Sequence, residues 1–200
     1  MHTTKAIIAI ASIASFAIAD IVRTGEFEST MFEGFQGLNM GTFESSPVTI
    51  FDGLAVVQNT SGSWLHTTEA WSFTNRTAAY EGKDLLGNAS GGVEYSFNTS
   101  INAFGGFFAT IANVADGQVR FFNNDTLVGT DALSAPVGGE WTWNGWQSDT
   151  SFNRVIVDSN YGFSGGFILH DAVRATATIP APGAFALIGM GGVVITRRRR

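Results

Sequence analysis

The sequence predicts an all-β fold, an antiparallel β-sandwich of jelly-roll type, held between two apolar terminal segments. Three observations point there. Short runs of β-branched and aromatic residues recur through the middle of the chain, and clusters of Gly, Asn, Asp and Ser separate them at near-regular intervals. No stretch between residues 20 and 175 keeps a 3.6-residue apolar period with caps. Many short strands close a core by stacking two sheets, because each sheet has one apolar face to bury.

Taken in order, the chain begins with Lys5 as a basic n-region and an apolar run over residues 6–18, ending in Ala17-Ile18-Ala19. That triplet fits the small-x-small cleavage rule, so residues 1–19 are expected to form a signal helix that is removed, leaving Asp20 first. Strands are then expected at 48–51, 54–58, 70–73, 93–97, 103–111, 118–123, 126–129, 154–158, 166–170 and 172–177. Asp52-Gly53, Ser61-Gly62, Gly87-Asn88, Asp116-Gly117 and Asn144-Gly145 are expected turns. Gly105-Gly106, set between Phe104 and Phe107, predicts a bulge or a close backbone approach. Asp116-Gly117 predicts a hairpin, which would make residues 104–129 a three-stranded meander.

Residues 20–175 suffice for one domain with a core of its own. The chain has no cysteine, so an exported domain built from it must be stabilised by packing, alone or with a bound ion. Its formal net charge is -6 even with the four terminal arginines counted. An acidic body repels nucleic acid, which is not expected as a partner.

At the other end, residues 176–182 read as a linker carrying Pro180, Ala181 and Pro182. Residues 183–196 hold no charge; as a helix they would span roughly 21 Å at ~1.5 Å per residue, short of the ~30 Å hydrocarbon core. Arg197, Arg198, Arg199 and Arg200 would stay at the cytoplasmic headgroups as a basic tail. The whole tail resembles the PEP-CTERM sorting signal of bacterial secreted proteins, with Ala181 where that motif carries Glu. The resemblance implies export to the cell envelope, surface or extracellular space. It also implies a membrane anchor formed by the short C-terminal helix, and an exosortase-like sorting enzyme as partner. Pro180, Pro182 and the four arginines would be the signal it reads.

A second resemblance lies in the body. Gly105-Gly106-Phe107-Phe108, Leu127-Val128-Gly129-Thr130, the Ser148-Asp149 loop, Arg154-Val155 with Val157, and Asp171 with Val173-Arg174 follow one another. This order looks like the jelly-roll ectodomains that precede such tails, which are similar in shape to carbohydrate-binding modules. Likeness at that level implies the fold and leaves function to the site.

Candidate chemistry is sparse. His2, His66 and His170 offer no metal-ligand spacing, there is no thiol, and Gly62-Ser63-Trp64 is not a nucleophile elbow. Glu26, Glu28, Glu33, Glu44, Glu69, Glu81, Glu94 and Glu140 are available for a glycosidase pair, but nothing singles two of them out, and a non-enzyme is expected. Asp171 with Glu33 or Glu28 would suit a structural Ca2+ tying the first strands to the last. The other reading is that Asp171 makes a local turn bond or an ion pair with Arg174. Trp141 and Trp143, two apart on a strand, share one face. They are either core or a pair of rings on which sugars stack, and Trp64 and Trp71 carry the same two readings. The expected function is therefore a structural or adhesive surface protein of the extracellular matrix. The alternatives are a non-catalytic carbohydrate-binding module for extracellular polysaccharide and, after that, a glycoside hydrolase.

Overall fold

The computed structural model describes residues 20–38, 45–74, 76–113, 116–160 and 166–178. The signal segment at 1–19, the Pro180–Pro182 motif, the apolar segment and Arg197 to Arg200 lie outside the described residues. Among those that are described, no helix is long and apolar enough to cross a membrane.

The chain runs through β1 (Ile21–Thr24), β2 (Met31–Glu33), β3 (Val48–Ile50), a single 3-10 turn at Phe51–Gly53, β4 (Ala55–Asn59), β5 (Leu65–Thr68), β6 (Ala70–Ser72) and β7 (Arg76–Ala78). It continues with β8 (Leu85–Asn88), β9 (Val93–Thr110), β10 (Gly117–Asn123), β11 (Thr126–Leu133), β12 (Thr142–Ser159) and β13 (Ile168–Ala177). All pairings are antiparallel. Among the described residues eleven strands share one hydrogen-bonded sheet along β11-β10-β12-β9-β13-β8-β5. In addition β1 joins β12, β2 joins β13, and the β3–β4 pair joins β9; β6 and β7 form a separate hairpin.

Two strands of 18 residues, β9 and β12, organise everything else. Each is apolar at both ends and polar in the middle, with Asn98 and Thr99 exposed in β9 and Asp149 and Thr150 exposed in β12. Gln147 pairs with Ala103, Phe152 with Ile101 and Arg154 with Ser96, so residues 148–151 of β12 lie opposite the single residue Asn102 and residues 97–100 of β9 opposite the single residue Asn153. At that corner both strands bend. The consequence is visible in β9, where the rings of Tyr95 and Phe104 lie 5.2 Å apart; a straight strand would separate those positions by roughly 30 Å. The early half of β9 therefore pairs with β4 and the late half of β12 in one layer. Its late half pairs with β13 and the early half of β12 in the other.

Between the layers lies the core, whose largest fully buried side chains include Phe35, Tyr95, Phe104, Phe108, Phe121, Trp146 and Phe152. Trp146 stands at its centre, edge-on to Phe121 at 5.7 Å and parallel to Phe104 at 6.5 Å. Its Nε1 donates to Asp131 Oδ2 at 2.7 Å, and the same carboxylate pairs with Arg23 Nε at 2.8 Å. That bond settles the one polar atom of a buried indole.

Several expectations need correction. Residues 104–129 are not a meander: β10 pairs with β11 and β12, and β12 lies between β10 and β9. Length decides this, since β12 matches β9 through both layers while β10, at 7 residues, reaches only one. Asp116, at φ +68°, turns the chain but bonds to Ala135 and Asn160, fastening the far ends of β11 and β12. The bulge expected at Gly105-Gly106 is on the neighbouring strand, where Ala172 takes φ +46° and register slips between Asp171 and Arg174. The close approach is real: a Cβ on Gly105 would sit 2.8 Å from Trp143 Cζ2. Gly87-Asn88 is strand rather than turn, because Trp71 covers the face where Gly87 has no side chain. Strands β1, β2, β5, β7 and β8 were not expected from the residue pattern; all are four residues or shorter.

One polar pair crosses the core. Tyr95 Oη and His170 Nδ1 lie 2.9 Å apart, both fully buried. Burial lowers His170 to about 3 and raises Tyr95 well above its ordinary value, so both stay neutral. A histidine depressed in the folded state supports stability above its unfolded value of 6.5, and that support is lost as pH falls toward about 3, because unfolding takes up a proton. Against the double variant Tyr95→Phe/His170→Phe, the native chain should therefore lose up to ~1.4 kcal/mol per pH unit below 6.5. Urea midpoints at pH 7, 5.5 and 4.5 measure the difference; a constant gap across that range contradicts it.

Candidate functional site

The outer face of the layer holding the late half of β9 carries most of the aromatic side chains that remain outside the core. Alternation along the strands puts Phe104, Phe108, Trp146 and Val173 inward, and so turns Gly105, Phe107, Trp143, Gly145, Asp171 and Arg174 outward. Gly105 and Gly145 are cross-strand partners. Trp143 lies across them: a Cβ on Gly145 would meet its Nε1 at 2.8 Å, as one on Gly105 would meet its Cζ2. The two facing glycines leave room for the indole to lie down on the sheet.

The ring is fixed on every side. Its Nε1 donates to the Thr24 carbonyl at 3.2 Å, and Phe27 and Phe107 meet it edge-on at 5.7 and 5.4 Å. The Arg174 guanidinium sits 5.5 Å from the Trp143 centroid and 5.9 Å from that of Phe32. Glu26 holds Arg174 in place through a 2.7 Å ion pair, assisted by the Phe27 carbonyl at 3.1 Å. On the far side of Phe107, Tyr80 stacks at 3.7 Å and turns its edge to Trp141 at 6.3 Å. Trp141 in turn donates its Nε1 to the Ala78 carbonyl at 2.9 Å. The result is a row running Phe32, Arg174, Trp143, Phe107, Tyr80, Trp141. Tyr80 and Phe32 are 48% and 47% exposed, so the row is open to solvent at intervals along its length.

Asp171 lies beneath Tyr80, fully buried. Its Oδ2 accepts the backbone N–H groups of Tyr80 at 2.7 Å and Glu81 at 3.1 Å, and its Oδ1 that of Ala172 at 2.7 Å. The carboxylate thus pins the loop that carries Tyr80 to the bulge in β13. Desolvation raises it to about 6, outweighing the three amide donors that favour the charged form. Glu33 does a similar job elsewhere, accepting Phe35 N at 2.7 Å and Phe51 N at 2.9 Å, both residues at positive φ.

These placements do not bring together the two carboxylates considered for a calcium ion. Glu33 pairs across from Val173, an inward residue, whereas Asp171 faces outward, so the two carboxylates serve opposite sides of the sheet. Each is engaged by amide donors rather than turned toward a shared cavity. Among the described residues no group of three or more acids and histidines is placed to hold a metal ion. The alternative ion pair of Asp171 with Arg174 does not form either, since Arg174 pairs with Glu26; the local turn bond, to Ala172, does form.

Trp141 and Trp143 do share a face, half-buried, with both indole N–H groups satisfied by backbone. The fully buried core tryptophan is Trp146. Residue patterns alone did not bring in Phe32, Tyr80, Phe107 and Arg174. The signal that would have done so is the facing glycine pair, and it requires knowing that β12 lies beside β9. Of the glutamates considered for catalysis, Glu26 borders the row in its ion pair, while Glu94 belongs to the other layer, accepting from Gln58 at 2.8 Å and Ser96 at 3.0 Å.

A carboxyl raised from 3.8 to about 6 on folding supports stability below pH 3.8, and that support is lost as pH rises through about 6. Relative to Asp171→Ala, the native chain should lose roughly 2 kcal/mol between pH 4 and 7. Denaturant midpoints across that range give the gap directly, and a gap that widens with rising pH refutes the assignment.

No family model and no curated protein matches the chain. Among solved structures, the fold is similar to a glycoside hydrolase family 43 arabinoxylan arabinofuranohydrolase from Bacillus subtilis, at 15% identity and TM-score 0.39, over 66% of this chain and 33% of that one. The chain thus spans about a third of the hydrolase's length. A family 29 carbohydrate-binding module is similar at 16% identity and TM-score 0.36, over 62% of this chain and 90% of that one. A mutant module of the same family is similar at 14% identity and TM-score 0.35, over 64% and 99%. Identities and scores of this size assign no activity to this chain.

Proposed function

We propose that the chain is an exported, PEP-CTERM-sorted protein of the cell surface or extracellular matrix, and that its β-sandwich ectodomain, of jelly-roll type, adheres to polysaccharide without cleaving it. The single observation that carries the binding role is Trp143 laid flat over Gly105 and Gly145, in line with Arg174, Tyr80 and Trp141 on an outward face. Sugar rings present apolar C–H faces edged by hydroxyls. An indole held flat gives such a face a surface to stack on, and its immobility removes most of the ordering cost of binding. Arg174 and Tyr80 supply donors at the edge.

The way the acids on this face are held supports binding without cleavage. Glycoside hydrolysis requires one carboxyl to protonate the leaving oxygen and a second to act across the bond. Asp171, the one acid here with a raised value, is fully buried under Tyr80 and faces three amides. Glu26 is neutralised by Arg174. The jelly-roll topology is supported by two long strands shared between layers and by the return of β12 between β10 and β9. Sorting rests on the sequence of the two ends: the leader at 1–19, the Pro-Ala-Pro motif at 180–182, the apolar segment at 183–196 and the arginines at 197–200.

Titration of the full chain on a glycan array should reveal polysaccharide binding. Trp143→Ala and Tyr80→Ala should weaken it at least about tenfold, equivalent to ~1.4 kcal/mol, with unchanged far-ultraviolet dichroism. Wild-type affinity in both variants would overturn the assignment of the face. Sorting is tested separately, by expression in a bacterium with an exosortase and mass spectrometry of the recovered protein. Asp20 should be the first residue and the segment after Pro182 should be missing; unprocessed chain in the cytosol would exclude export.

A further inference from the structure

The β6–β7 hairpin lies over the middle of the same outer face, packing Trp71 and Ala79 against Leu85, Ala109, Ile111 and Leu169. It divides the face. On one side is the row described above; on the other, at the β5 edge, a cleft of about 250 Å³ opens between Trp64, His66, Thr68, Trp71, Ser72 and Phe167. The construction repeats that of the row. Trp71 lies over Gly87, where a Cβ would overlap its ring, just as Trp143 lies over Gly105 and Gly145. His66 stands edge-on to Trp71, 5.5 Å between centroids and 87° between planes, and Phe73 stacks on Phe167 at 4.7 Å.

The lining defines what fits. It holds no acidic side chain, no lysine and no arginine. Burial pushes His66 below its ordinary value, so the imidazole is neutral at neutral pH. Two indoles form apolar walls, and the hydroxyls of Thr68 and Ser72 supply the polar edge. Thr68 Oγ1 already donates to the Ala70 carbonyl at 3.2 Å, which leaves its lone pairs to accept. A volume below the ~300–1,000 Å³ of drug-sized pockets admits one ring. An apolar body, a hydroxyl-bearing edge, no charge and the size of one ring together describe a neutral sugar unit.

We propose that the Trp64–Trp71 cleft is a second binding site on this face, taking a single uncharged glycosyl residue of a polysaccharide. It rests on the reading of the face as polysaccharide-binding. The cleft and the row lie on opposite sides of the hairpin, which carries Trp71 into the cleft and holds Trp141 of the row through the Ala78 carbonyl.

The test is calorimetric titration of the full chain with cellotetraose, xylotetraose, mannotetraose and, as the charged comparison, tetragalacturonate. Three variants are compared: Ala89→Phe, which fills the cleft from its rim without removing a wall, Trp64→Ala, which removes one, and Trp143→Ala on the row. Thermal melts establish that each is folded. Ala89→Phe and Trp64→Ala should each weaken binding of a neutral tetrasaccharide at least about fivefold, or reduce its stoichiometry by one site, while Trp143→Ala keeps the cleft's share. If only Trp143→Ala loses binding, the cleft proposal is overturned and the row stands. If only the cleft variants lose it, the cleft stands and the row falls. Equal, Ala89→Phe-sensitive binding of tetragalacturonate overturns the uncharged class, and a native chain that binds none of the four overturns both sites.

Discussion

The shared bend of β9 and β12 is the constraint on which the structure depends. A pair of strands bonded to each other along most of their length, folded together at one polar corner, makes both layers of the sandwich from one continuous ladder. The other strands then add where edges are left: β4 and β10 on one layer, β1 and β13 on the other. The bend requires extra backbone on each strand in turn, which residues 148–151 of β12 supply opposite Asn102 and residues 97–100 of β9 supply opposite Asn153. It also requires side chains that tolerate water at the turn, which Asn98, Thr99, Asp149 and Thr150 are. A core that includes Tyr95, Phe104, Phe121, Trp146 and Phe152 is the reward for closing it, and it replaces the disulfides that a chain without cysteine lacks.

The same ladder builds the functional face. Because β12 lies beside β9, Gly145 falls opposite Gly105, and Trp143 can lie down between them. Because the bulge at Ala172 shifts β13 by one position, Arg174 points outward beside Gly105 rather than into the core, while Val173 points inward. The bulge also gives Asp171 Oδ1 a local amide, leaving Oδ2 to hold the Tyr80 loop. A single irregularity in one strand therefore sets the positions of a cation, an aromatic ring and the buried carboxylate under it.

How much of this was legible in the sequence depended on range. The class of fold was legible, since alternation and turn residues are local, and so were most of the longer strands. The continuity of β9 was not: Asn98 to Asn102 read as a break between two strands, because a polar corner in a bent strand and a polar loop share the same composition. Pairing was harder still. Asp116-Gly117 is as good a hairpin signal as any, but local turn chemistry is outweighed when a distant strand of matching length competes for the same edge. Glu33 and Asp171 looked like ligands because acids beside first and last strands suit a cation. Each satisfies backbone amides instead, a role that leaves no mark in the residue pattern. The terminal segments carry the clearest local signals of all, and they lie outside the described residues.

Tryptophan placement ties these points to function. Packing demand accounts for Trp146, which fills the centre of the core. It accounts only in part for Trp71 and Trp141, which pack against Leu85, Ala109, Ile111 and Leu169, and not for Trp64 and Trp143; all four are half-buried on one outward face of one layer. If core filling were the only constraint, such large apolar groups would be divided between the layers or replaced on the outside by polar residues, as the alternation elsewhere in the sheet would allow. Two of them also depend on glycines in neighbouring strands, Trp71 on Gly87 and Trp143 on Gly105 and Gly145. Glycine in a strand interior weakens it, so laying a ring on a sheet costs the sheet stability. A fold that accepts this cost at two places on the same face sets half-buried aromatic rings there, and the proposed binding role rests on that arrangement.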